Sequence, residues 1–551
     1  AIGIQSVNVY GLGEASIDNT GAIYSTAATT QGFASAWGAL AQGLGVYGDA
    51  SISNDGLIST YGYANIGTAN SIAAYASAVD GDVSVINHGD IVSVAHSERG
   101  VIYYAVDYSY ATGVKLLSPA YYGAGSATLE NFGDIEAHAS PVGGITGARG
   151  VQAYGTYTSI TNHEGASILA VGEVGLFGGG FATGIEAAAL YGIDIVNDGD
   201  IDVRGIAHGY SDGTHTYYAA SRALGIDATA NLQGDVHVVN NGSINAIATT
   251  DDGITFFNAG AGASGISAYG KYDATVINGG DIHAVATSDL GIVGAYGVQV
   301  HGKYTGNLVN EAGATILAQS SVGSLSTDTY GGRAVAFGTH TFGSDHAITT
   351  NSGDIVAQAI VEADGGPNDS ISLASTWGAS IGAYSTSLTG TMVNHGDIHA
   401  LASADFGSAK SYGTFVNSQY VAATTNSGLI HSTASAEGGD AFAVGSYSNA
   451  RHSIYVIDCD EYGCDYANAY FIADDGLARL TNSGDIIASA SAAGGVGNSY
   501  AAVVRGAFGS TLSNSGHIMA ETEADDAQAT GALLVSFYGA ASIQNSGLIQ
   551  A

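Results

Sequence analysis

A short phrase, Asn-x-Gly-x-Ile, returns through the whole chain, usually with Ala at alternate positions after the Ile. It runs from Asn19-Thr20-Gly21-Ala22-Ile23 to Asn545-Ser546-Gly547-Leu548-Ile549. Its glycine marks fifteen copies between Gly21 and Gly547, a mean spacing of about 38 residues. A unit of that size cannot bury its apolar face alone and must stack on its neighbours, so the repeat predicts a solenoid of about fifteen coils over 1–551.

The spacing inside a copy fixes the type of element. In Val196-Asn197-Asp198-Gly199-Asp200-Ile201-Asp202-Val203, residues Asn197, Gly199, Ile201 and Val203 share one parity while Asp198, Asp200 and Asp202 share the other. Such alternation belongs to a β-strand with one apolar face. A second signature, Gly followed by Val or Ile, precedes the first, as in Gly150-Val151, Gly184-Ile185, Gly225-Ile226, Gly265-Ile266 and Gly297-Val298. The gap from that Gly to the next motif Gly stays nearly constant, whereas the return path varies in length. Each coil therefore has a fixed block of strands and one variable loop. With 82 Gly, only 3 Pro and no long run at helical spacing, the fold class expected is all-β, a parallel β-helix.

The recurring Asn has a physical reason. Stacked in register, each amide can donate to the Asn of one neighbouring coil and accept from the other. The ladder expected comprises Asn19, Asn54, Asn87, Asn131, Asn197, Asn278, Asn351, Asn394, Asn426, Asn482, Asn514 and Asn545. The Gly two places on is expected to supply a positive φ for the bend. Frequent Ala at inward positions implies a slim core.

Charge excludes several functions. Twelve Lys plus Arg stand against 49 Asp plus Glu, a net of −37, which opposes nucleic acid and anionic membrane surfaces. Asp follows the motif Gly at Asp90, Asp134, Asp200, Asp281, Asp354, Asp397 and Asp485. These read either as solvated turn residues or as a row of divalent-cation sites, since carboxylates suit Ca²⁺. Like charges about 5 Å apart in water repel by only about 0.8 kcal/mol, so no cation is required.

Two cysteines, Cys459 and Cys464, lie in Asp458-Cys459-Asp460-Glu461-Tyr462-Gly463-Cys464-Asp465. So close a pair is expected to form a small-loop disulfide in an oxidising compartment. Asp458, Asp460 and Asp465 make half of a Ca²⁺ loop pattern, with Ala469 where the bidentate Glu would stand. The octapeptide falls in the second of two Tyr-rich stretches, 103–125 and 449–477, expected as insertions that serve as contact surfaces or pack on the rod's flank. Catalysis finds little support in the motifs: His395 and His399 fall on a turn, and there is no Walker loop.

The paired signatures, seen in Gly150-Val151-Gln152-Ala153 with Asn162 to Ile168 and in Asn482-Ser483-Gly484-Asp485-Ile486-Ile487-Ala488, resemble passenger regions of bacterial autotransporters and related surface adhesins. That resemblance implies a right-handed parallel β-helix exported to the bacterial cell surface or beyond. The closely spaced cysteines suit such export. Neither a signal peptide nor a membrane barrel is evident, so the chain is expected to be a processed product or a fragment, with no membrane span and no cofactor unless Ca²⁺ binds.

The function expected is an extracellular structural or adhesive fibre, not an enzyme, whose partners are other copies or a host or matrix surface ligand. Both ends fall in repeat phase, so Ile2, Ile4 and Val7 at one end and Leu548 and Ile549 at the other are expected to join rods head to tail. The alternative is a polysaccharide-processing β-helix enzyme, which would show a coil groove lined by acids, Arg and aromatics.

Overall fold

The computed structural model describes residues 1–551 apart from 10–12, 46, 99–106, 120–124, 177, 212–215, 218, 252–259, 290, 324–331, 363–372, 383–388, 406, 451–453, 461–462 and 473–475, and without the side chains of 210–211, 216–217, 381–382, 454–460 and 463–472. Its strands form one parallel sheet of 41, with two small antiparallel hairpins set apart from it. Among the described residues there is no helix.

Each coil carries three strands. One ends in the motif Asn, as Val421–Asn426; one carries the motif Ile, as Leu429–Ala436; one carries the Gly-Val signature, as Ala441–Ala450. They are called here the Asn, Ile and Gly strands. Every strand pairs in register with its counterpart one coil away, so Asn394 lies opposite Asn426 and Ile398 opposite Ile430. Fifteen such coils at about 4.8 Å make a rod roughly 70 Å long.

The alternation places the core. Ile58, Ile91, Ile135, Ile168 and Ile201 stack fully buried, and Ala137, Ala170, Ala246 and Ala284 fill the narrower space beyond them. Each buried Ile contributes about 1.5–3 kcal/mol by leaving water. Asn197, Gly199, Ile201 and Val203 point inward while Asp200 is exposed, in agreement with the parity read from the sequence.

The motif glycine corrects one expectation. None of the Asn-x-Gly-x-Ile glycines has a positive φ; only Gly165 and Gly313 do, in turns one residue longer between Asn and Gly. Glycine is needed for close approach instead. A Cβ on Gly396 would stand 2.0 Å from the carbonyl oxygen of Gly353 in the preceding coil.

The two Tyr-rich stretches differ. Within 103–125, Tyr108–Leu117 is an ordinary Gly strand, paired with Gly67–Ala78 on one side and Gly144–Asn162 on the other. Within 449–477, Ile454–Asp460 and Gly463–Ile472 form an antiparallel hairpin outside the rod's sheet. The coil closes beneath it, since Asn426 pairs with Asn482 across the whole insertion.

Candidate functional site: a furrow along the Gly strands

Every Gly strand is broken at its signature position. Register runs from Thr112 opposite Arg149 to Val114 opposite Val151 and skips the glycines between them. Two consecutive residues, such as Gly113 and Val114, then face inward. Glycine prevails there because space is short, a Cβ on Gly150 lying 2.3 Å from Ile168 Cγ2, although Ala73 and Ala501 hold the same place in two of the strands.

The outward side chains flanking the break lean together. Trp37 meets Tyr75 edge to face at 5.2 Å, Phe337 meets His340 at 5.7 Å, Tyr412 meets Phe415 at 5.7 Å, and the Arg149 guanidinium pairs with the Glu186 carboxylate. Small outward residues between them, including Thr112, Ser264 and Ser380, are buried although they point away from the core. The result is a shallow furrow parallel to the rod axis.

Its composition is unlike the rest of the rod. Lys115, Arg149, Arg222, Arg333, Lys410 and Arg505, half of the chain's twelve cations, lie on Gly strands, and Lys115 and Arg149 flank the break itself; the acids of these strands are Glu186, Asp227 and Asp526, the last at a strand's edge. The remainder of the molecule is strongly acidic.

Two stretches can be distinguished along it. Toward the C-terminus the furrow is aromatic: Tyr296, Phe337, Trp377 and Tyr412 occupy one column with ring planes within 5° of parallel and centroids 4.4–5.8 Å apart. Phe415 and Tyr447 stack beside them at 5.1 Å. Burial raises the Tyr296 and Tyr412 pKa values and lowers that of His340 to about 4, with nearby His301 adding to the last effect.

Toward the N-terminus it is polar. One column reads Leu40, Tyr75, Lys115, Gln152, Glu186 and Asp227 on successive coils. Glu186 accepts hydrogen bonds from Arg149 Nε, Gln152 Nε2 and the Tyr154 hydroxyl. Burial first, and that bond second, push the Tyr154 phenol up to about 12. Burial also raises the Asp227 carboxyl, opposed by Arg222 and reinforced by Glu186. Lys115 is half-buried and has no hydrogen bond or ion pair among the described residues. Its pKa is lowered by burial and by Arg149, with Glu186 acting in the other direction.

The sites expected from the sequence fall elsewhere. The Asn ladder is continuous over fourteen amide-to-carbonyl bonds of 2.7–2.9 Å from Asn19 to Asn545. It includes three rungs absent from the expected set, Asn162, Asn240 and Asn310.

The aspartates after the motif Gly share one column but do not run unbroken. Asp90 pairs with Asp134 and Asp354 with Asp397, while Ser167, Ser243 and Thr315 intervene elsewhere. The hydroxyls of Ser167 and Ser243 donate to Asp134 and Asp200. Among the described residues no three His, Cys, Asp or Glu side chains are arranged to hold a metal ion. In the hairpin, the backbone sets Cys459 opposite Cys464, Asp458 opposite Asp465 and Asp460 opposite Gly463; the side chains of these expected disulfide and Ca²⁺ residues lie outside the described residues. Ile2, Ile4, Val7 and Leu548 are exposed and Ile549 is half-buried, on strands that pair on one side only.

The furrow was not read from the sequence, although its signal was present in the residues one before and two after each signature Gly. No family model, curated protein or solved structure matches the chain.

Proposed function

We propose that this chain is a structural and adhesive rod of a bacterial surface or extracellular matrix, with no enzymatic activity. The observation that carries the reading is the unbroken Asn ladder, which ties every coil to the next through a buried side chain and makes the chain one continuous scaffold. Its net charge of −37 keeps neighbouring rods apart, and its length holds a contact surface away from whatever anchors it. The test has two parts. Electron microscopy of the purified protein should show rods roughly 70 Å long, and lengths in whole multiples would add end-to-end assembly to the proposal. Cells displaying the chain should attach to matrix-coated surfaces severalfold better than cells without it, and equal attachment would sink the adhesive role.

The enzyme reading has one observation in its favour. Glu186 and Asp227 lie in register on adjacent coils, in a furrow with Arg149, Arg222 and Tyr154. Glycoside cleavage uses two carboxyl groups, one of them a general acid of raised pKa, and burial raises that of Asp227. Release of new reducing ends from a polysaccharide, abolished by both E186Q and D227N, would establish it in place of the rod-only function.

A further inference from the structure

We infer that the polar stretch of the furrow, from Tyr75 to Asp227, binds an extended glycan that carries carboxylated sugars, with Lys115 and Arg149 receiving a sugar carboxylate. The inference stands on the furrow's geometry and holds whether or not the rod sits on a cell surface.

Lys115 carries the argument. A half-buried ammonium with no hydrogen bond or ion pair of its own is costly in a protein with 49 carboxylates to choose from. The acid whose charge acts on it, Glu186, already accepts from Arg149, Gln152 and Tyr154. Lys115 and Arg149 therefore share one committed carboxylate, and the site is one negative charge short. An anion entering beside Lys115 would meet the ammonium and the guanidinium nitrogens that Arg149 does not spend on Glu186.

The surroundings specify the rest of the ligand. Tyr75 and Trp37 lie on the N-terminal side of Lys115, Gln152 and Tyr154 stand one coil beyond it, and the Glu186 and Asp227 carboxylates follow. Aromatic surface, amide, phenol and carboxylate together suit a polyhydroxylated chain, whose C–H faces pack on rings while its hydroxyls donate to carboxylates. The column repeats at about 4.8 Å per coil, close to the advance of one pyranose unit in an extended glycan, so successive sugars can meet successive coils in phase.

The charge of the whole rod chooses among anions. Screening confines each charge to about 8 Å at physiological salt, so the furrow's cations act locally while a densely charged polymer would still meet the acidic flanks. A glycan with one carboxylate per sugar, or fewer, satisfies both conditions. Nucleic acid and heavily sulfated chains do not.

The test is equilibrium binding of the full chain to three six-unit acidic oligosaccharides, namely oligogalacturonate, oligomannuronate and hyaluronan, with methyl-esterified oligogalacturonate and a neutral malto-oligosaccharide beside them. At least one acidic oligosaccharide should bind. K115M should weaken that binding by roughly tenfold or more, as expected for removing one partner of a desolvated charge pair, while K115R retains most of it. K410M, which removes a cation outside this stretch, should leave it unchanged. Lys115 makes no bond in the fold, so K115M should match the parent in thermal unfolding. Lack of binding to all three acidic probes would overturn the inference, as would K115M binding as tightly as the parent. So would equal affinity for the methyl ester, for inorganic sulfate or for a single-stranded oligonucleotide.

Discussion

The Asn turn and the Gly-strand furrow rest on the same stacking of coils, yet one repeats a single residue type and the other changes at nearly every step. At the turn each interior side chain is buried and its partner is the next copy of itself, so only a group that both donates and accepts can occupy those rungs; the amide of Asn does so. In the furrow the column is only partly buried and keeps access to water, and the sequence Tyr75, Lys115, Gln152, Glu186, Asp227 satisfies no such rule. Stacking constrains identity where a polar group is buried and releases it where water can serve, and the released positions are the ones that can carry recognition.

Removing one interior rung should break this contrast most severely. Asn351→Ala leaves Asn394 Oδ1 without the amide that donates to it and deprives Asn310 of its acceptor. Each buried unsatisfied group costs about 1–3 kcal/mol, so the loss should approach about 3 kcal/mol. Asn545→Ala, at an exposed rung, should cost under about 1 kcal/mol. Denaturant unfolding can be followed by fluorescence, because Trp377 lies in the coil that separates Asn351 from Asn394. Equal losses from the two variants would show that the ladder adds nothing beyond its backbone.

Much of this architecture was legible because stacking writes itself into sequence. Asn-x-Gly-x-Ile exposed the coil count, the parity and most of the ladder. Asn162 and Asn310 escaped because two residues, not one, separate them from Gly165 and Gly313, and the longer turn puts those glycines at positive φ. Asn240 escaped because Asn241 follows it; the structure separates them, sending Asn241 outward to Asp198 and Asn240 into the ladder. The motif glycine was recognised but misread, because steric contact between successive coils leaves the same glycine in the sequence as a left-handed bend would. The furrow was hidden for another reason. Whether two outward residues three apart converge depends on the break at the signature glycine, and alternation alone does not reveal a change of parity.

A core substitution sharpens the contrast at a single step along one strand. Ala488 is fully buried, while its neighbour Ser489 faces out. Ala488→Leu should cost about 1–3 kcal/mol by overpacking the slim core, and Ser489→Leu should shift the melting midpoint very little. If the two melt alike, the parity of the Ile strand has been assigned wrongly.

The aromatic stretch of the furrow carries a pH dependence of its own, centred on one histidine. His340 has a folded pKa near 4, below the ordinary 6.5, because burial disfavours its charged form. It is faced by the rings of His301 and Phe337 and by the Ser380 hydroxyl. Between those two pKa values the unfolded chain takes up a proton that the folded one refuses, so this residue's contribution to stability is complete above about pH 6.5 and declines as pH falls toward about 4. Melting curves of the parent and His340→Phe should therefore diverge over that window, with the parent losing more. Parallel curves would show that His340 titrates normally.

The smallest effect is expected at the hairpin, which tests whether an excursion from the rod is part of it. Cys459 and Cys464 are opposite one another on paired antiparallel strands, so non-reducing alkylation of the purified protein should trap no free thiol. Closing so short a loop is worth about 2 kcal/mol to the segment it closes. The rod does not depend on that segment, because Asn426 donates to Asn482 at 2.8 Å and Val421–Asn426 pairs with Leu477–Asn482 across the insertion. Changing both cysteines to serine should then move the rod's unfolding by under about 0.5 kcal/mol, as for a surface change remote from the core. Hydrogen exchange should quicken within 454–472 and nowhere else. Faster exchange spreading into Val421–Asn426 or Leu477–Asn482 would mean that the hairpin braces the coils on which it sits, and that the rod's ladder is not sufficient where the chain departs from it.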